Sequence, residues 1–325
     1  MRLRARIRTW ASVVGKKERE GPIGGCFDVS DETDRFGQKT WEAAESEMQR
    51  QALSLALRRA GTEPEGVDLL FAGDLLNQCV ASAYGILEFG VPYCGIYGAC
   101  STVAEGLLLA ASAITGGTAE NACVVTSSHY CAAERQYRTP LEYGAQRTPT
   151  AQWTVTGSGA FLVGKESEEG VRLSRGLVGI VRDSGVRDTA NMGAAMAGAA
   201  ADTLFRFFRE TGEVPSAYGA IVSGDLGYEG GAILCDLLLA AGLDIRPNYA
   251  DCGQLIFARR RQDVHAGGSG CGCAAVTLAG RFLPRLREGT LKRMLFLPTG
   301  ALMSPDSVKQ GRTIPAVAHL VELEG

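Results

Sequence analysis

The stretch that decides the fold is Tyr97-Gly98-Ala99-Cys100-Ser101-Thr102, which runs on into small and aliphatic residues. The glycine indicates a tight turn, and the apolar run Val103–Ile114 predicts a helix that is buried on nearly every face. The turn therefore places Cys100 at the start of a buried helix. Because a helix start presents free N–H groups and a partial positive charge, we expect the thiol to ionise easily in a pocket suited to acyl transfer or to a small anion.

The composition is that of a globular chain. It has 325 residues, is 46% hydrophobic and 21% charged, and carries a net charge of −3, which gives no electrostatic reason to expect nucleic acid as a partner. We expect no signal peptide and no membrane span, hence cytoplasmic synthesis and only peripheral membrane contact. The ten cysteines are expected to be reduced. Cys271 and Cys273 lack a second pair at zinc spacing, so no metal is expected.

Arginine alternates with apolar residues at the start of the chain, at positions 2, 4, 6 and 8. This alternation predicts an edge strand with a solvated arginine face. The alternative is that the arginines contact phosphate or a membrane surface.

Helices and strands alternate along the chain, and their order repeats. The first half shows a helix at Trp41–Ala60 between Thr40 and Gly61, a strand at Val67–Ala72 ending in Gly73-Asp74-Leu75, the helix after Cys100, and strands at Ala122–Thr126 and Ala160–Val163. The second half shows a helix at Thr203–Glu210, a strand at Tyr218–Ser223 ending in Gly224-Asp225-Leu226, a helix after Gly270-Cys271, and a strand at Met294–Leu297. The repeat predicts an α/β protein of two similar halves, 1–168 and 169–325, with buried helices between two sheets.

Several segments carry a family resemblance. They are Gly73–Gln78, Gly98–Thr102, Ser127–His129, Pro149–Gly157, Asn191–Ala197, Gly224–Gly227 and Thr299–Leu302. The chain resembles the thiolase and ketosynthase superfamily, which has a five-layered αβαβα fold, and within it the stage V sporulation protein AD family. The resemblance runs from about Gly21 to the C-terminus.

The resemblance implies a non-enzymatic sporulation protein. It implies binding of dipicolinic acid, or its calcium chelate, and a part in its uptake into the developing spore. The implied partners are membrane proteins of the same sporulation operon and a second copy of the chain. The implied location is peripheral at the spore inner membrane, and no cofactor is expected.

Seven residues are candidate ligand-binding groups. They are Cys100, His129, Asn77, Gln78, Arg135, Tyr228 and Ser269. Arginine binds a carboxylate through two parallel hydrogen bonds, and the segment His129–Trp153 supplies arginines together with aromatic rings. His129 is equally well explained as a structural residue at a strand end. Asp74 and Asp225 are interpreted as helix caps rather than pocket acids or calcium ligands, and Asn191–Ala197 as a loop that covers the pocket.

An acyl-transfer enzyme would also need a base and oxyanion donors. The chain has three histidines, and none lies in the glycine-rich turn Ala266–Gly272, where thiolases have one. His265 lies just before this turn, and His319 is expected in a terminal strand. Two alternatives stay open: an acyltransferase or hydrolase with Cys100 as nucleophile and His129 as base, and a structural component whose site has decayed.

Overall fold

The computed structural model describes residues 1–137 and 147–325, and only the backbone of residues 134–137. The strands are β1 (Arg2–Gly15), β2 (Val29–Asp31), β3 (Leu69–Gly73), β4 (Tyr93–Gly95), β5 (Ala122–Ser128), β6 (Trp153–Thr154), β7 (Gly157–Lys165), β8 (Val171–Leu177), β9 (Arg182–Asp183), β10 (Ala220–Ser223), β11 (Tyr249–Asp251), β12 (Gly268–Ser269), β13 (Arg293–Leu297), β14 (Thr299–Ala301), β15 (Pro315–Ala318) and β16 (Leu320–Glu324). The helices are α1 (Lys16–Arg19), α2 (Trp41–Ala60), α3 (Val80–Gly85), α4 (Thr102–Thr115), α5 (Tyr130–Tyr137), α6 (Met192–Thr211), α7 (Gly227–Ala240), α8 (Cys252–Leu255), α9 (Cys271–Thr277), α10 (Leu283–Arg287) and α11 (Pro305–Lys309).

Alternating side chains of the strands define five layers. Successive side chains of a strand point to opposite faces of its sheet. In β3, Leu70 packs with α2 on the outside, whereas Phe71 faces the central helices. In β10, Val222 faces the same central helices, whereas Ile221 packs with α6 and α7 on the other outer side. The αβαβα fold expected from the sequence is therefore confirmed.

The strand order in the large sheet is β11-β10-β13-β16-β8-β1-β7-β5-β3-β4, with β2 added to β1. The first part of β1 pairs with β8 and its longer remainder pairs with β7, so that β1 joins the sheets of the two halves. The prediction of an edge strand for the arginine-rich start is therefore wrong. Arg6 donates to the carbonyl oxygens of Glu166 and Gly170, and Arg8 forms an ion pair with Glu168, so these arginines are held by the turn between β7 and β8.

Helices α2 and α6 differ in how well their bounds were predicted from the local sequence. Helix α2 has the predicted bounds, because the Thr40 hydroxyl accepts from the N–H of Ala43 and Gly61 adopts a left-handed conformation after the last turn. Helix α6 begins at Met192, capped by the side chain of Asn191, so the segment expected to form a covering loop is the first turns of a helix. No helix in the described ranges is long and apolar enough to cross a membrane.

Candidate functional site

Hydrogen bonds of the Thr102 hydroxyl hold the turn before Cys100. Ala99 has a left-handed φ of 50°, which costs energy in a residue with a side chain. The Thr102 hydroxyl donates to the Ala99 carbonyl at 2.5 Å and accepts from the Gly98 N–H at 3.1 Å. Gly300, in β14, lies against the Gly98 carbonyl with no room for a side chain. These contacts hold Cys100 just ahead of α4.

The Cys100 side chain meets the corresponding cysteine of the second half. Cys100 packs with Leu75, Ala133 and Cys271 in one small buried cluster, and Cys271 is the first residue of α9. The Cys100 sulfur lies 3.8 Å from the Ser269 hydroxyl oxygen. The two helix starts that the sequence repeat related therefore meet in space, and of the predicted site residues Ser269 is brought to Cys100.

The buried carboxyl group of Asp225 fixes the second-half residues that lie beside Cys100. Asp225 is fully buried and accepts hydrogen bonds from the Ser269 hydroxyl at 2.9 Å, the Gly270 N–H at 3.1 Å and the Thr299 hydroxyl at 2.8 Å. The expectation that Asp225 caps the next helix is wrong. Asp251 performs that role, because it accepts from the N–H groups of residues 226 and 227 at the start of α7.

The Cys100 thiol stays protonated. Burial raises the pKa of Cys100 well above its ordinary value, and the neighbouring Asp225 carboxyl raises it further. The expectation of an easily formed thiolate is therefore corrected: desolvation and a nearby acid outweigh the partial charge of the helix start. Burial also raises the pKa of Asp225. The site offers hydrogen-bond donors and acceptors without a ready nucleophile.

His129 is buried and bonded through both ring nitrogens. Nε2 lies 2.8 Å from the Asp34 carbonyl oxygen, to which it donates, and Nδ1 accepts from the Cys131 N–H at 3.2 Å. These partners fix the neutral tautomer, and burial lowers the pKa of His129. The ring also packs against Trp41. Neither nitrogen is left to take a proton from Cys100.

The other two histidines are also engaged away from Cys100. His265 contacts the Thr148 carbonyl through Nδ1 and Asp263 through Nε2. His319 lies between β15 and β16, where Nδ1 accepts from the Gly179 N–H and burial lowers its pKa to about 4. Within the ranges that the structure covers, no histidine pairs with Cys100.

The remaining predicted site residues lie further out. Asn77 and Gln78 belong to an exposed turn that follows Asp74. Tyr228 is half-buried near the start of α7, with the Arg259 guanidinium 4.0 Å from its ring centroid. The side chain of Arg135 lies outside the described residues.

A second buried polar network lies beside the cysteine cluster. Asp74 accepts from the Leu76 N–H and from both the N–H and the hydroxyl of Ser82. Ser82 lies in the first turn of α3, so Asp74 has the helix-capping role interpreted for it. Gln49 donates to the hydroxyls of Ser82 and Ser127. Burial raises the pKa of Asp74. Asp74 thus bonds within its own half, whereas Asp225 secures the turn beside Cys100.

The Cys-x-Cys pair is occupied by backbone contacts. The Cys271 thiol donates to the Ser127 carbonyl at 3.1 Å, and the Cys273 thiol donates to the Gly224 carbonyl at 3.6 Å. Across residues 1–137 and 147–325, no group of three or more His, Cys, Asp or Glu side chains is placed to hold a metal ion. The Cys271 thiol is therefore a structural donor between the two halves, and the Cys273 thiol is one within the second half.

Known structures share this architecture. The chain is similar to 3-oxoacyl-[acyl-carrier-protein] synthase III from Aquifex aeolicus VF5, with 16% identity, a TM-score of 0.59, and coverage of 99% of this chain and 100% of that one. It is similar to OleA from Xanthomonas campestris at 16% identity and a TM-score of 0.62, over 99% of this chain and 98% of that one. The fold thus defines a thiolase-like protein related in structure to condensing enzymes.

Sequence relatives define the family within that class. The stage V sporulation protein AD profile matches residues 1–324. Stage V sporulation protein AD of Bacillus subtilis (strain 168) is 40% identical over 318 residues, which cover 98% of this chain and 94% of that protein. The chain belongs to the stage V sporulation protein AD family, and the family resemblance read from the sequence is confirmed.

Proposed function

We propose that this sporulation protein binds dipicolinic acid, or its calcium chelate, and takes part in its uptake into the developing spore. The observation that carries the proposal is the chemistry beside Cys100. A protonated thiol, the Ser269 hydroxyl and the buried Asp225 carboxyl form a hydrogen-bonding site. Such a site suits a polar ligand better than nucleophilic attack, because no histidine adjoins the thiol in the described residues and the nearby carboxyl raises the pKa of the thiol.

Calorimetry with purified protein tests the proposal, with and without calcium. Dipicolinate is expected to bind saturably, and Cys100→Trp is expected to abolish binding, because an indole at this buried position would displace the groups around Ser269. Cys26→Trp is the matched control, because Cys26 is an exposed free cysteine. Ser269→Ala is a milder second variant in case Cys100→Trp does not fold. The absence of dipicolinate binding in both conditions would refute the proposed function.

The structural relatives favour one alternative, an acyltransferase or hydrolase. In such a reaction the Cys100 sulfur would attack a thioester carbonyl, the leaving thiol would take a proton, and an acyl-Cys100 intermediate would form. We expect intact-protein mass spectrometry after incubation with acyl thioesters to show no adduct on Cys100. A stoichiometric adduct that is absent in Cys100→Ser, followed by turnover, would establish the enzyme instead.

A homodimer is the second part of the proposal. Strand β4 ends the large sheet, and all three of its residues are exposed. Tyr84 and Leu87, which precede it, are 70% and 72% exposed. An open edge beside apolar side chains suits two-fold pairing with an identical edge. Light scattering should give twice the chain mass for the native protein, and Leu87→Glu should weaken the dimer. A wild-type monomer at high concentration would contradict this proposal.

The last part of the proposal concerns the membrane. We propose that the chain acts at the spore inner membrane through membrane proteins encoded in the same sporulation operon. Fractionation of sporulating cells should recover the chain with the inner membrane, and deletion of those operon partners should release it. Recovery in the soluble fraction in both strains would argue against this location.

A further inference from the structure

Two cations lie on one indole ring. The Lys17 ammonium nitrogen is 3.7 Å from the ring centroid of Trp153, and the Arg147 guanidinium carbon is 4.8 Å from it. The Tyr130 ring stacks on the same indole, with the centroids 3.9 Å apart and the planes 8° from parallel. The arrangement holds two positive charges close together on an aromatic platform.

One N–H donor group of the Arg147 guanidinium has no hydrogen-bond acceptor among the described residues. Its side chain is only 6% exposed. Nη2 donates to the backbone carbonyl of Asp263 at 2.5 Å and to its carboxylate at 2.9 Å. Nη1 is enclosed and has no hydrogen-bond partner within residues 1–137 and 147–325. A buried charged N–H without an acceptor is costly, so an acceptor from outside the chain is expected to complete it.

Three described carboxyl groups act on these two cations, those of Asp263, Glu18 and Glu20. Asp263 is 76% exposed, and its carboxylate is shared between Arg147 and His265. Lys17 forms no ion pair with a carboxylate in the described part of the chain, and burial together with the Arg147 charge lowers its pKa. Glu18 adds little negative charge at neutral pH, because burial raises its pKa to about 8. Glu20 is exposed and acts on Lys17 only through its charge.

The two cations are connected to the Cys100 site through a strand pair. Trp153 pairs with Gly268, and the next pair along joins Thr154 to Ser269. The Trp153 N–H donates to the Gly267 carbonyl at 2.8 Å. Trp153, which carries the two cations, is therefore the residue next to Thr154, and Thr154 is the β6 residue that pairs with Ser269.

We propose that Arg147 and Lys17 form a binding site for the carboxylate groups of a small planar dianion. The ligand's identity as a pyridine dicarboxylate rests on the proposed function, whereas the anion site rests on the buried Nη1 without an acceptor in the described residues and on the two cations that share the Trp153 ring. Lys17 is half-buried, and the Arg147 side chain is the more enclosed of the two cations.

Calorimetry with dipicolinate and two variants tests the site. Arg147→Gln should weaken binding about 10- to 100-fold, as expected for the loss of charge-assisted hydrogen bonds, and Lys17→Gln should weaken it less. Arg287→Gln is the matched control, because Arg287 lies over Trp10 at 4.6 Å in a different part of the fold. It should leave affinity within about twofold. Wild-type affinity in a folded Arg147→Gln protein would overturn the anion site and leave the proposed function standing.

A second measurement separates the two proposals if dipicolinate does not bind. The chain has three tryptophans, so Trp10→Phe/Trp41→Phe leaves Trp153 as the reporter. Its fluorescence is titrated with inorganic phosphate and with benzene-1,3-dicarboxylate. A saturable change that is lost in Arg147→Gln would support the anion site although the proposed function has failed. No saturable change with dipicolinate or with either of these probes would overturn the site as well.

Discussion

Removing the Asp225 carboxyl should destabilise the protein strongly. Asp225→Ala leaves three buried donors without their acceptor, namely the hydroxyls of Ser269 and Thr299 and the N–H of Gly270. Each buried donor that loses its partner costs about 1–3 kcal/mol. The Gly270 N–H is fixed by the backbone and bears the full cost, whereas the two hydroxyls can rotate towards other acceptors. Relief from burying the carboxyl offsets part of the loss, so we expect about 3–5 kcal/mol in the free energy of unfolding.

Urea unfolding, followed by circular dichroism at a fixed protein concentration, measures this loss. Asp225→Asn retains one acceptor oxygen and should cost about 1–2 kcal/mol, while Thr299→Val removes a single hydrogen bond and should cost about 1 kcal/mol. The double variant Asp225→Ala/Thr299→Val should fall short of the sum, because both changes remove the same contact. A loss below about 1 kcal/mol for Asp225→Ala would refute the reasoning, since the three donors would then have other acceptors.

Three further predictions concern stability. The Glu18 carboxyl, whose pKa rises from 4.5 to about 8 on burial, keeps a proton that the unfolded chain has already released, so its contribution should be lost as pH rises between these values. Unfolding free energies measured across that range should fall for wild type relative to Glu18→Gln, and parallel curves would contradict the assignment. Gly300→Ala should cost about 1–3 kcal/mol, because its methyl group would press on the Gly98 carbonyl; an unchanged melting temperature would show that the turn can move. Thr40→Ala should cost about 1 kcal/mol through loss of the helix α2 cap, with Thr40→Ser close to wild type.

Local chemical signals predicted some elements to the residue and missed others. Helix α2 carries its start and end in the sequence, as a threonine cap and a left-handed glycine. The first turns of α6 are small residues without an amphipathic stripe, so only the later part carries a pattern, although Asn191 caps the true start. The central place of β1 could not be predicted from its own residues. Arg6 is held by carbonyl groups 160 and 164 residues away, and an alternating pattern does not reveal such partners.

Part of the candidate site could likewise be predicted from the sequence, and part could not. The position of Cys100 follows from a turn and a helix that adjoin each other in the sequence. The role of Asp225 depends on partners 44 and 74 residues further along. The sequence repeat gave the available signal, because it equated Asp225 with Asp74 and Cys271 with Cys100. It could not show that Asp225, although its hydrogen-bond partners lie in its own half as those of Asp74 do, secures the turn that places Ser269 beside Cys100.

The position of Asp225 beside Cys100 helps to explain the pKa of the thiol. Two helix starts face each other, and their partial positive charges would favour a thiolate at Cys100. Instead, burial raises the pKa values of both the thiol and the Asp225 carboxyl, and the carboxyl raises that of the thiol further. A thiol can donate a hydrogen bond to a ligand, whereas a nucleophilic thiol must first give up its proton, which burial and the nearby Asp225 carboxyl oppose. A buried acid in this place therefore works against nucleophilic attack by Cys100.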